Sequence, residues 1–262
     1  MNTCHWTCGR RFTATTRKAL IRPACKWGLT RLELVAVLAS LALVAALAFP
    51  VLANTRQRSD RVVCISNLQR IGQAFHAWAI DHDDRMMWAV DARSEGTMVP
   101  PGGPQPPWNG LQNLAWFQYS WISNELVFPQ YLVCPADTSK HPARNWGSTD
   151  PSNGYRHNNQ QNNSISYDLW LHASPAKPSG FLCSDRNLSY DAFSSSCSTG
   201  VAPAWEIQPG TTVAAWSASI HPTNGNVLLF DGSVAQVDTA GLRKLLLTYP
   251  ATNAEPEHYL SP

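Results

Sequence analysis

Residues 28–53 read GLTRLELVAVLASLALVAALAFPVLA, and this stretch decides the architecture. No charged residue occurs from Leu34 to Ala53. A run of about 20 residues at 1.5 Å each makes a helix of about 30 Å, the thickness of a bilayer's hydrocarbon core. Glu33 stands at the head of the run, one helical turn after Gly28. A carboxylate at the edge of hydrocarbon is costly unless something pairs with it, so Glu33 calls for a partner. Arg10, Arg11, Arg17, Lys18, Arg22 and Lys26 precede the run, with no acid among residues 1–28. By the positive-inside rule they hold the N-terminus in the cytoplasm and send everything after Ala53 across the membrane. Arg56, Arg58 and Arg61 weaken that bias without reversing it.

Three readings fit an apolar run of this length. In the first it is a cleaved secretory signal, with Ala46-Leu47-Ala48 as the small-x-small cleavage site. A basic region of about 30 residues, Pro50 just beyond the cut and Glu33 all stand against it. In the second it is a plain signal anchor, which accounts for length and orientation but leaves Glu33 unexplained. In the third a cytoplasmic-side peptidase cuts after Gly28. Leu29 then carries a positive α-amine one turn from Glu33, and the acid is favoured both by that amine and by the free N–H groups of the helix start. The amine can belong to the same chain or to a neighbouring copy packed beside it.

Gly28 followed by Leu29-Thr30-Arg31-Leu32-Glu33-Leu34 and an apolar helix resembles the N-terminal signal of type IV prepilins and type II secretion pseudopilins. The resemblance implies cleavage between Gly28 and Leu29 by a prepilin peptidase, N-methylation of Leu29, and assembly through Glu33, with Pro50 bending the helix near the membrane exit. Leu29 departs mildly from the family's usual phenylalanine. Arg31 replaces an apolar residue, within snorkelling reach of the cytoplasmic surface.

The rest of the chain suits an exported protein. Charged residues are 15% of the total, with 19 prolines and 11 tryptophans. The formal charge of +2 hides an asymmetry: removing the six leader basics from 20 leaves 14 basic against 18 acidic residues, about −4. A nucleic-acid binder keeps its basic residues in the folded part, so nucleic acid is excluded as a partner. Cys4, Cys8 and Cys25 lie in the leader, and Cys64, Cys134, Cys183 and Cys197 beyond the apolar run. Four cysteines allow three connectivities. The expected one joins Cys64 to Cys134 and Cys183 to Cys197, the second pair by nearness in sequence. No CxxC pair occurs among the four, and no metal or cofactor is expected.

Beyond the span, Ile65, Leu68, Ile71, Phe75 and Trp78 recur at helical spacing, which predicts one long helix from about Leu32 to Ile80. Asp81, Asp83 and Asp84 around His82 lack the glycine and distal glutamate of a calcium loop, so a solvated helix end is expected there. A loop is expected over 91–110, around VPPGGPQPPWNG, and a short helix around Leu111–Trp121. Ile165, Tyr167, Leu169 and Leu171 alternate as one face of a strand. Residues 172–210 read as irregular. In GNVLLFDGSVAQV, 225–237, two apolar runs flank Asp231-Gly232, predicting a two-residue hairpin turn with φ > 0 at both centres. Leu242, Leu245, Leu246 and Tyr249 predict a closing helix.

His221 precedes Asp231-Gly232 by a gap of nine residues. That spacing resembles a C-terminal signature of prepilin-type proteins abundant in planctomycetes and verrucomicrobia. C-x-x-N-L-x-x-I-G at Cys64–Gly72 and Cys134-Pro135-x-Asp137 fit the same group, which assigns these residues no chemistry.

The expected class is therefore α+β: a long N-terminal helix, half membrane-embedded and half amphipathic, packed on a small antiparallel sheet in a pilin-like lollipop. The expected parts are a cleaved leader (1–28), a transmembrane assembly helix (29–53), its amphipathic continuation (54–84) and a periplasmic head (85–262). The expected function is a non-enzymatic, single-pass inner-membrane subunit of a pseudopilus or pilus-like filament. Its partners would be prepilin peptidase, other pseudopilin subunits, the inner-membrane assembly platform and membrane lipid. One rival is a soluble exported binding protein whose Trp- and Asn-rich loops recognise carbohydrate or another surface. The other is an exported hydrolase using His221 and an acid.

Overall fold

The computed structural model describes residues 30–89, 114–189, 193–194, 204–207, 214–221, 223–248 and 257–262. Helix α1 runs from Arg31 to Ile80, close to the bounds that periodicity predicts, and Pro50 falls within it. The chain divides at Pro50 into two units, Met1–Pro50 and Val51–Pro262. In the first unit the described residues are helical from Arg31 onward, and Arg31–Ala48 is apolar and wholly unburied. Such a segment is long and apolar enough to cross a membrane by length and composition.

The second unit is a mixed α+β fold. From Cys64 onward α1 packs one face inward: Cys64, Leu68, Ile71, Phe75 and Trp78 are buried at spacings of three and four. Gly72 lies on that face because the helix crosses close to the sheet; a Cβ there would stand 3.2 Å from the Leu228 methyls. The helix ends at a turn in which Asp83 and Asp84 both have φ 56°. Aspartate tolerates that conformation better than most residues, since its short side chain bonds locally. His82 stacks on Trp78 with ring centroids 3.7 Å apart.

The sheet has seven strands: β1 Tyr167–Trp170, β2 Phe181–Asp185, β4 Phe193–Ser194, β5 Ala204–Ile207, β7 Asn224–Leu229, β8 Val234–Asp238 and β9 Glu257–Leu260. Their order is β4-β5-β9-β1-β2-β7-β8, and each neighbouring pair is antiparallel. β3 Leu188–Ser189 pairs with β6 Ala215–Trp216 in a separate ribbon. Helices α2 Ala115–Trp121 and α3 Ser123–Leu126 lead into the loop to Cys134, and α4 Thr239–Thr248 follows β8.

Two apolar clusters use opposite faces of the central strands. Leu228, Leu169 and Tyr167 join the packed half of α1, with Trp116, Phe117 and Tyr119 of α2. Val227, Trp170, Phe181 and Tyr259 join Leu242 and Leu246 of α4. Adjacent residues of β7 thus enter different clusters, as the strand's period of two requires. A register shift between Phe181 and Cys183 lets Leu182 and Cys183 both face the first cluster.

Several expectations are corrected. Residues 172–210 are not irregular throughout: β2 to β5 lie there. β2 is buried along its whole length, and a strand covered on both faces shows no alternation by which to recognise it. The short helix begins at Ala115 among the described residues, and in the closing helix Leu242 and Leu246 are buried while Tyr249 lies outside them. The loop expected over 91–110 also lies outside the described residues. The β7–β8 turn has three residues, Phe230-Asp231-Gly232, closed by Leu229 N–H to Ser233 O at 2.9 Å and Gly232 N–H to Leu229 O at 3.0 Å. Of Asp231 and Gly232 only the glycine has positive φ, 85°. This is the three-residue hairpin with glycine in the left-handed position, not the two-residue type.

Candidate functional site

Two places collect the residues singled out in the sequence. The first is the start of α1. Thr30 N–H donates to Glu33 Oε2 at 2.8 Å, Thr30 Oγ1 donates to the same oxygen at 3.1 Å, and Glu33 N–H donates to Thr30 Oγ1 at 3.2 Å. This reciprocal pair is a capping box, with Thr30 as the cap and Glu33 at the third helical position. Part of the answer to why an acid stands here is therefore local: it satisfies N–H groups that a helix start leaves free. The Thr-x-x-Glu spacing was present in the sequence as a signal for it. Gly28 and Leu29 lie outside the described residues.

The second is a buried clasp joining α1, the loop after α3 and the start of β7. Cys64 of α1 is disulfide-bonded to Cys134, with Cα atoms 5.1 Å apart across 70 residues of sequence. Asn67, one turn on, donates its Nδ2–H to the Val133 carbonyl at 3.1 Å. Cysteine and asparagine three apart share a helix face, so one turn of α1 holds two consecutive residues of the loop. Behind the disulfide, His221 Nε2 lies 3.5 Å from Cys134 Sγ and 3.8 Å from Asp185 Oδ2. Asp185 Oδ2 accepts from the backbone N–H of Asn226 at 2.8 Å and from its Nδ2 at 2.9 Å. Asn187 Nδ2 spans the carbonyls of Ser217, His221 and Asn224.

The Cys-Pro-x-Asp stretch continues the clasp. Asp137 takes a two-pronged ion pair from Arg186, Nε to Oδ2 at 2.7 Å and Nη2 to Oδ1 at 2.8 Å. Arg186 Nη2 also donates to Ser139 Oγ. Planar guanidinium matches carboxylate in this two-bond geometry, which fixes the loop against the end of β2.

Electrostatics in the clasp follow from burial. Asp185 is fully enclosed, and desolvation pushes its carboxyl up to about 7, against the opposing effect of the Asn226 bonds. Burial also lowers His221, favouring neutral imidazole beside a carboxyl that resists ionisation. Asp168, inside β1, is raised well above the usual carboxylate range by burial, partly opposed by the Ser261 hydroxyl and Arg186. At Asp137 burial acts upward, but the bonds from Arg186 and Ser139 outweigh it and the carboxyl is lowered.

Cys183 is a free thiol, buried in β2, and the expected Cys183–Cys197 pairing is corrected on that point. Its sulfur accepts a hydrogen bond from the Tyr119 hydroxyl at 3.4 Å, and enclosure in the core pushes it up to about 12. Cys197 lies outside the described residues. His221 and Asp231 have separate partners. The Asp231 carboxylate accepts from the backbone N–H and hydroxyl of Ser233 at 2.9 and 2.6 Å, in the hairpin turn. The turn itself is held by His76 of α1, whose Nε2 is 2.5 Å from the Phe230 carbonyl oxygen. His221 is only 2% exposed, which gives a hydrolytic substrate no approach to its ring. Trp78, Trp116, Trp121, Trp170 and Trp216 are buried in the two clusters rather than displayed on a recognition face.

An open cavity of about 440 Å³ lies between α1 and the segment after α3, lined by Arg70, Gln73, Ala77, Glu125, Val127 and Phe128. Val127 has φ 62° and is exposed with Phe128. A β-branched residue in that conformation is strained. No family model matches the chain, and neither a curated protein nor a solved structure matches it.

Proposed function

We propose that the protein is a structural, non-enzymatic pseudopilin- or prepilin-like subunit, anchored in the inner membrane with its head outside the cytoplasm. In this reading prepilin peptidase cuts between Gly28 and Leu29, and Leu29 is methylated. The apolar part of α1 then packs among identical helices of a filament on an assembly platform, the head carried on the helix in the lollipop manner of pilins. The observation that carries the reading is an apolar, unburied helix whose first turn holds one acid and which begins three residues after the glycine. The capping box accounts for an acid at the helix start, and it is the placing of that acid five residues after Gly28 that favours this reading over plain export. The buried state of His221, and the use of the signature residues to hold the head together, favour a structural role over catalysis.

The capping box provides a test that separates two functions of Glu33. Glutamine serves at the third position of a capping box as glutamate does, but carries no charge to pair with an α-amine. Glu33→Gln is therefore expected to keep the helix start and leader cleavage while losing incorporation into filaments, as judged by crosslinking and N-terminal sequencing. Glu33→Gln chains that assemble like the wild type would reduce Glu33 to a cap. Recovery of the native chain with residues 1–28 still attached, or starting near Phe49, would sink the whole reading.

A further inference from the structure

The disulfide and His221 also have the arrangement of a metal centre. Cys64 Sγ, Cys134 Sγ and His221 Nε2 all lie within 4.8 Å of one another, in three buried residues. The sulfurs are bonded here, but in a newly made chain they are thiols. Zinc bonds of about 2.3 Å to sulfur and about 2.0–2.1 Å to nitrogen place tetrahedral S and N ligands about 3.6 Å apart. Cys134 Sγ and His221 Nε2 are 3.5 Å apart.

Asp185 adjoins this trio on the histidine side without belonging to it. Asp185 Oδ2 is 3.8 Å from the same imidazole nitrogen, and Asp185 Oδ1 is buried without a hydrogen-bond partner among the described residues. A buried carboxylate oxygen with no donor is unusual unless a cation or proton occupies it. Parting the two sulfurs to the roughly 3.8 Å that a tetrahedral metal needs is within reach of side-chain rotation, since the cysteine Cα atoms are 5.1 Å apart. Charge balances too. The two thiolates carry −2 and the neutral imidazole adds nothing. A divalent cation brings the cluster to neutrality, which burial favours.

We propose that, before the disulfide forms, Cys64, Cys134 and His221 hold one zinc-type divalent cation, with the Asp185 carboxyl beside the histidine, and that oxidation expels it. Binding displaces the two thiol protons. In the oxidation, the two thiolates give two electrons to a disulfide-bearing oxidant. Their sulfurs join, the oxidant's two sulfurs leave as thiols after taking up protons, and the cation is released. The metal and the disulfide are then successive fasteners of the same contact between α1, the Cys134 loop and the start of β7. The proposal does not rest on the filament reading.

The test uses the full chain in detergent carrying Cys4→Ser, Cys8→Ser, Cys25→Ser and Cys197→Ser, which leaves Cys183 as the one other thiol. The protein is unfolded with a phosphine reductant, refolded with Co²⁺, and followed by thiolate-to-cobalt charge-transfer absorption. One Co²⁺ per reduced chain is expected, and none in the oxidised chain. His221→Gln should weaken binding by about tenfold or more, at least what loss of a supporting group costs a metal site. Circular dichroism of oxidised His221→Gln checks that the variant folds. A second measurement needs no variant: glutathione disulfide added to the zinc-loaded chain should release zinc in step with disulfide formation. A reduced chain that takes up no cobalt or stays unfolded with it, equal affinity in folded His221→Gln, or zinc retained after the disulfide has formed would each overturn the proposal.

Discussion

Asp185→Asn should turn a pH-dependent fold into one less sensitive to pH at this site. The Asp185 carboxyl is enclosed and titrates at about 7 in the folded chain, against 3.8 when solvated. The folded state therefore keeps a proton that the unfolded state releases. The stability associated with that proton is fully present below about pH 4, falls as pH rises, and is gone once the folded carboxyl ionises above about pH 7. A difference of about 3 pKa units at 1.36 kcal/mol each makes the loss about 4 kcal/mol. Asparagine keeps an oxygen to accept from the N–H and Nδ2 of Asn226, now held at 2.8 and 2.9 Å, and it cannot ionise. Its amide nitrogen replaces Oδ1, which has no partner among the described residues, so the two proteins should be similar at pH 4. At pH 8 the variant should be the more stable by up to about 4 kcal/mol. Urea unfolding of the full oxidised chain in detergent, followed by tryptophan fluorescence from pH 4 to pH 8, measures the difference. Asp168 and the other buried groups titrate in both proteins and cancel. Parallel pH profiles, or a variant weaker than the wild type at pH 8, would refute the reasoning.

Two further perturbations test the packing. Replacing Cys64 and Cys134 together by serine removes a bond that closes a loop of 70 residues, which the chain-entropy account values at about 4 kcal/mol; thermal melting should shift down by about 8–16 °C, and a shift under about 2 °C would show that the rest of the clasp holds the loop unaided. Gly225→Ala would place a Cβ 2.6 Å from three ring atoms of Trp216, an overpacking cost of about 1–3 kcal/mol, seen as a lower urea midpoint and an altered tryptophan emission; an unchanged midpoint would mean that the β3–β6 ribbon moves freely away from β7.

What the sequence disclosed was local. The apolar span, the inward face of α1, the alternation of β1, the β7–β8 hairpin and α4 all depend on periods of 3.6 or 2 or on turn residues, and the eye needs only about a dozen neighbours to see them. What stayed hidden was long-range. β9, the last strand, inserts between β1 and β5, and no feature of EHYL names those partners. Cys134 and Asp185 lie 87 and 36 residues from His221, so the histidine was legible as a spaced residue but not as the back of a disulfide. Asp168 falls between the alternating apolar residues of the predicted strand and Asp185 in a stretch that reads as irregular, yet both are fully buried. Burial of a central strand on two faces erases the alternation that would have warned of it. The two-residue turn failed for a smaller reason: Asp-Gly also ends the three-residue hairpin, where only the glycine needs positive φ.

The nine-residue gap between His221 and Asp231-Gly232 has a geometric cause in this fold. β7 is tied to α1 at both ends. At its start, His221 touches the disulfide that Cys64 anchors. At its far end, the Phe230 carbonyl accepts from His76. Cys64 and His76 are twelve residues apart on the helix, about 18 Å at 1.5 Å per residue. Of the nine residues that follow His221 up to Phe230, the strand proper takes the six of Asn224–Leu229, about 20 Å at 3.4 Å each. The two spans agree to within one helical residue's rise or two. Between the ties, and nearer His76, Gly72 admits Leu228 to a close approach of helix and strand. The length of β7 therefore matches the stretch of helix that it crosses, and residues 221–223 link it to the disulfide. A residue added to β7 would move the turn past His76 and, because strand faces alternate, exchange Leu228 and Val227 between the two cores. Spacing of this kind records packing, and it needs no reaction to explain it.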